Sequence, residues 1–160
     1  MRILGIDPGL GITGYGVIEL LGRDLKVMEA GVIRSNPKDK TETRLFDIHR
    51  KLKNLIKDTK PHIAVLEELY SHYKHPRTSI LMGHARGIIC LAVKEQEIEL
   101  VHYPSTRVKK AITGRGHASK QQVQRTITSL FNFKRAPEPV DVTDALALAV
   151  AHANVYLHTI

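Results

Sequence analysis

At 160 residues, with 42% hydrophobic and 25% charged positions, the chain has the make-up of one ordinary globular domain, 1–160, long enough to bury roughly 70% of its extended surface without disulfides or a structural metal. The single cysteine, Cys90, excludes an intramolecular disulfide and a CxxC ligand pair, which points to a cytoplasmic protein; no apolar run approaches the ~20 residues of a membrane span, and Ile3-Leu4-Gly5-Ile6 is too short for a signal-peptide core. Twenty-four Lys and Arg against sixteen Asp and Glu leave a formal charge of +8, which favours a polyanionic partner, nucleic acid first, through counterion release.

Arg2 to Asp7, Gly14 to Leu20 and Lys26 to Ile33 read as strands, separated by glycine-bearing turns at Pro8-Gly9-Leu10-Gly11 and around Gly22, and predict an antiparallel meander. From Thr43 the period changes. Leu45, Ile48, Leu52 and Leu55 recur every three or four residues with basic residues between them, predicting an amphipathic helix that ends before Pro61. Ile63-Ala64-Val65-Leu66 is a continuous apolar run closing on Glu67-Glu68, as expected of a strand buried on both faces beside the first.

A longer helix follows with the stripe Leu81, Ala85, Ile88 and Ala92, ending near Glu97; then comes a strand from Glu99 to Tyr103, closed by Pro104. Ser105 to Ala111 gives one or two helical turns, Gly114-Arg115-Gly116 a loop, and Gln121 to Phe131 another helix. After Pro137 and Pro139 a last helix begins at Asp141, apolar almost all round and therefore buried. The order βββαβαβα predicts an α/β domain with a five-stranded mixed sheet, three antiparallel strands and then two parallel ones, flanked by helices; this order resembles ribonuclease H-like folds.

Four acids stand where chemistry gathers. Asp7 ends the first strand directly before Pro8-Gly9, at the C-terminal rim of the sheet, although an Asx-turn residue fits the same place. Glu67 ends an apolar strand, where burying a carboxylate costs several kcal/mol unless a cation or hydrogen bonds compensate it; an exposed strand end is the alternative. Asp141 and Asp144 share one side of the first turn of the final helix, and their spacing also makes a capping box with Asp141 as N-cap. If the four converge, roughly four negative charges within a few ångströms require bound divalent cations, and all-oxygen ligation favours magnesium or manganese. Two such ions ~4 Å apart can activate a water and stabilise the leaving oxygen of a phosphodiester, so a basic protein around this site reads as a nuclease.

Gly5-Ile6-Asp7-Pro8-Gly9 with Thr13-Gly14-Tyr15-Gly16, then Glu67, Gly83-His84-Ala85-Arg86-Gly87, Gly114-x-Gly116-x-Ala118-x-Lys120 and Asp141-x-x-Asp144-Ala145-Leu146-Ala147 resemble, in order over nearly the whole chain, the RuvC family of Holliday-junction resolvases. The resemblance implies a homodimeric ribonuclease H-like endonuclease that nicks two opposing strands of four-way junction DNA, in recombination and repair. It further implies two Mg2+ ions per site (Mn2+ substituting), catalytic and metal-holding roles for Asp7, Glu67, Asp141 and Asp144, and a branch-migration helicase complex of the RuvA–RuvB type as partner.

The same resemblance makes Lys109 and Lys120 DNA contacts near the scissile phosphate, and Tyr70, where the family commonly has Phe, a platform for an unstacked base. It assigns Arg86 and its glycine neighbours to helix packing, either in the core or between protomers. His72-x-x-His75 has no Cys partner and no obvious third ligand, so a solvated phosphate-facing loop is the expected reading there. His152 reads as a packed helix residue. Two competing functions use the same residues: a catalytically silent junction-binding module, and a ribonuclease H-like nuclease acting on RNA or other branched DNA.

Overall fold

Ile3, Leu4, Gly5 and Ile6 are all buried, which a strand achieves only when both faces of its sheet are covered. In the computed structural model, which describes residues 1–69 and 76–159, this strand is β1 (Arg2–Asp7). β2 (Ile12–Leu21) and β3 (Asp24–Arg34) extend from it antiparallel on one side, while β4 (Ile63–Glu67) and β5 (Glu99–Tyr103) lie parallel on the other, giving the order β3-β2-β1-β4-β5. The predicted mixed α/β sheet is therefore present. β3 is longer than its apolar pattern announces, because an edge strand carries polar residues that alternation does not register, and a bulge interrupts its register at Val17/Ile18.

The helices divide between the two faces. α1 (Thr41–Thr59) and α2 (Pro76–Lys94) cover one, packing Ile48, Leu52, Leu55, Ile89 and Val93 against Leu4, Ile6, Ala64 and Leu66. α3 (Ser105–Thr113), α4 (Lys120–Leu130) and α5 (Val140–Leu157) cover the other, with Val108, Val123, Ile127 and Leu146 against Ile3, Ile18 and Val65. On α2 the buried stripe is Ala85, Ile89, Ala92 and Val93 rather than one running through Ile88, a shift of one residue. No described helix is long and apolar enough to cross a membrane.

Two helix starts differ from expectation. The N-cap of α5 is Pro139, without a side-chain cap, and Asp141 lies inside the first turn, so the Asp141–Asp144 capping box does not form. The capping box belongs instead to α4: Gln122 N–H donates to Ser119 Oγ at 3.2 Å, and Ser119 N–H donates to Gln122 Oε1 at 2.8 Å.

α5 is buried on nearly all sides, and its one basic core group is satisfied: His152 Nδ1 lies 2.9 Å from the hydroxyl of buried Tyr103, across the sheet face. Burial holds the imidazole below its ordinary pKa and pushes the phenol up, so both are neutral partners. Tyr103→Phe leaves a buried ring nitrogen unpaired and is expected to cost about 1–2 kcal/mol, read as a lower midpoint in urea, with nuclease turnover retained.

Candidate active site

Along β1 and β4 the side chains alternate between faces, and Asp7 and Glu67 share the α5 face. Ile6 pairs with Leu66, so the two acids are next to each other at the tips of adjacent parallel strands. Asp144 reaches the same place, and Asp141 comes near it, because α5 packs closely on the sheet. A Cβ on Gly5 would run into the Ala145 carbonyl, and one on Gly14 would run into the Asp141 carbonyl. Gly14 is the cross-strand neighbour of Asp7, so the bare patch that admits the start of α5 is the patch beside the first acid.

The loop between β1 and β2 is tied down. Buried Thr13 donates through Oγ1 to the Gly9 carbonyl at 2.8 Å, buried Ser35 donates to the Leu10 carbonyl, and Arg44 Nε donates to Ser35 Oγ at 2.9 Å. These residues and the glycine contacts were not singled out as positioning groups from the sequence. The signal was present in Gly14-x-Gly16, since glycines two apart on a strand bare one face of it.

Asp7, Glu67 and Asp144 line a cleft of about 900 Å³ together with Lys109, Lys120 and Arg86. Asp141 is not in its wall but lies within electrostatic reach. Burial, then Asp144 and Asp141, with a smaller contribution from Glu67, push the Asp7 carboxyl up to about 7, while Lys120 pulls the other way. Asp144 is raised as well, by burial first, and Lys120 Nζ stands 3.6 Å from its Oδ2. Among the described residues no three His, Cys, Asp or Glu side chains are gathered tightly enough to cage an ion as they stand. Crowded, partly desolvated carboxylates with Lys120 beside them are nevertheless a hard-oxygen donor set, and that chemistry fits a divalent cation.

Lys120 occupies the first position of α4, where a cation opposes the helix dipole, and no acid in that first turn offsets it. A residue that breaks its local rule beside an acidic cleft is there for the cleft. Lys120→Ala is expected to slow junction cleavage about 10–100-fold at saturating substrate and to reduce the salt slope of junction binding by about one, measured by single-turnover cleavage and a salt titration. Lys109 also lines the cleft. Tyr70, His72 and His75 lie outside the described residues.

An acidic cleft at the β1 and β4 tips of a mixed sheet in this order, walled by lysines, defines a ribonuclease H-like nuclease. The profile of the crossover junction endodeoxyribonuclease RuvC family matches residues 3–152, and the chain belongs to that family. The RuvC endonuclease of Rhodopirellula baltica is 48% identical over 148 residues, covering 92% of this chain and 83% of its own. That of Alkaliphilus metalliredigens is 42% identical over 154 residues, covering 96% and 93%. The structure of Thermus thermophilus RuvC in complex with a Holliday junction substrate superposes with a TM-score of 0.91 at 28% identity, covering 99% of this chain and 96% of that one. The yeast mitochondrial resolvase Ydc2, at 15% identity and a TM-score of 0.68, shares the fold.

Proposed function

We propose that Asp7, Glu67, Asp141 and Asp144 hold two Mg2+ ions, with Mn2+ able to substitute, and that this chain acts as one nuclease domain whose Lys109, Lys120 and Tyr70 contact the DNA. The chain is a crossover junction endodeoxyribonuclease, an enzyme that resolves Holliday junctions in recombination and repair. Its family's nucleases are metal-dependent. The observation that carries the assignment of residues is the cleft shared by Asp7, Glu67 and Asp144 with the two lysines, in which burial and then the neighbouring acids raise Asp7 to about 7.

A bound hard cation supplies Lewis-acid polarisation of the scissile phosphate and lowers the pKa of an attacking water. The residues do the rest. Asp7, at the tip of β1 beside Glu67 and the start of α5, would offer its carboxylate oxygens to the cation. Asp141 and Asp144 add charge at a helix N-terminus, which tolerates it. Lys120 and Lys109 attract the phosphodiester backbone and offset charge that develops on the phosphate oxygens.

A four-way junction presents two equivalent strands, so two sites related by a two-fold axis give paired nicks, and we assign this to a homodimer. α2 supports it: Ile80 is 59% exposed and Leu91 49% exposed, on the face that also carries Gly83 and Gly87, where an added Cβ meets nothing within 4 Å. A cytoplasmic setting and a branch-migration helicase complex of the RuvA–RuvB type complete the proposal.

The test is cleavage of a synthetic four-way junction by purified protein. Symmetric nicks in opposing strands, leaving ligatable 5′-phosphate and 3′-hydroxyl ends with Mg2+ and none with EDTA, are expected. Tight junction binding with no nicking in either buffer would support the silent binding module, and preferential cutting of RNA hybrids or flaps in competition would move the substrate.

A further inference from the structure

The sheet has a second grip on the active site, from the face opposite the acids. β4 ends at Glu67, whose side chain belongs to the α5 face, while Leu66 belongs to the α1–α2 face. Half-buried Arg86 comes from α2, on that second face. Its Nη1 donates to the Glu67 backbone carbonyl at 2.5 Å, and its Nη2 lies 2.6 Å from Nδ1 of His102, the β5 residue paired with Leu66.

An arginine fork that meets two acceptors at once fixes a direction, which a lysine ammonium does not. His102 accepts only when neutral, and burial followed by the Arg86 cation hold its pKa below the ordinary value, with Glu68 pulling weakly the other way. One further bond, from Glu68 N–H to the Tyr103 carbonyl at 2.8 Å, ties down the same strand end. Core packing is the work of Ala85 and Ile89 on this helix, and Gly83 and Gly87 face outward, so Arg86 is neither a core filler nor part of the bare face.

We infer that Arg86, anchored by His102, is a positioning residue for Glu67: it holds the β4 tip by its peptide carbonyl and so keeps the Glu67 carboxylate in the cleft. This rests on the reading of Glu67 as a site acid. Partners that orient a ligating side chain typically change metal affinity or activity about 10–100-fold when removed.

In the full-length protein, Arg86→Ala is expected to lower the cleavage rate at saturating junction about tenfold or more and to weaken Mn2+ binding measured by calorimetry without DNA by about the same factor. Junction affinity in EDTA should stay within about twofold. Arg86→Lys should fall between, His102→Leu should move the same quantities less, and the double variant Arg86→Ala/His102→Leu should be no worse than Arg86→Ala alone, as expected for residues acting through one another. His49→Ala, which removes a contact of 3.1 Å to Glu95 at the far end of α2, serves as control and should leave all three readings unchanged.

Wild-type Mn2+ affinity and rate in Arg86→Ala overturn the inference, as does a loss confined to junction affinity, which would make Arg86 a DNA contact. Equal losses in His49→Ala would assign the effect to α2 packing and overturn it too. If Arg86→Ala does not fold, Arg86→Lys and His102→Leu decide by the same readings. Glu67→Gln in the same series reports separately on the site acid: normal cutting there removes the role of Glu67 itself.

Discussion

Asp7→Asn is expected to suppress junction nicking by at least about 10³-fold while making the protein more stable in metal-free buffer. Both effects have one origin. Burial first, and then the neighbouring acids, carry the Asp7 carboxyl on folding from its ordinary value of 3.8 to about 7, so the folded state holds its proton to higher pH than the unfolded chain. Below the unfolded pKa both states are protonated and Asp7 costs nothing. As pH rises through the window from 3.8 to about 7, the unfolded state ionises first and stability is lost, by about 2–4 kcal/mol once both are ionised.

Asparagine carries no such penalty. The gap in melting temperature between Asp7→Asn and the unsubstituted protein should be near zero at about pH 4, reach about 5–10 °C by pH 8, and shrink when Mg2+ is added, because only the carboxylate gains from the cation. Scanning calorimetry at three pH values, with and without Mg2+, measures all of this. A gap independent of pH would contradict the burial and crowding of Asp7 on which the assignment rests.

The second large effect is steric. Gly14→Ala puts a methyl group where the Asp141 carbonyl sits, and backbone cannot yield as a flexible side chain does. Overpacking of this kind costs about 1–3 kcal/mol, so most molecules remain folded, but the start of α5 must lift from the sheet beside Asp7. Cleavage should fall about 100-fold or more, since small displacements of catalytic groups are costly, while junction binding through the lysines persists. Gly87→Ala, where nothing lies within 4 Å, should leave the cleavage rate intact when protein concentration is saturating.

The architecture was legible because periodicity is local. Ile63 to Leu66 could be read as a doubly buried strand beside the first, and α5 as a buried helix, from their own residues. The four acids were visible for the same reason: each marks the end of an element. What the sequence hid was the relation between distant elements. Gly5 and Gly14 read as turn and strand residues until α5 is laid on them, and Arg86 reads as helix filler until β4 and β5 supply its two acceptors. The capping box was assigned to α5 because Asp141-x-x-Asp144 has the spacing, whereas the helix begins earlier, after Pro139, and leaves both acids without a capping duty.

The acids of the cleft region come from elements far apart in sequence: β1 carries Asp7, and α5 carries Asp141 and Asp144. β1 is therefore made long before the helix that covers it, and its α5 face is closed only by a contact between elements far apart in sequence. Until α5 docks, β1 carries Asp7 without two of its three acidic neighbours, so the proposed cation site is assembled by the same packing step that closes this face of the core.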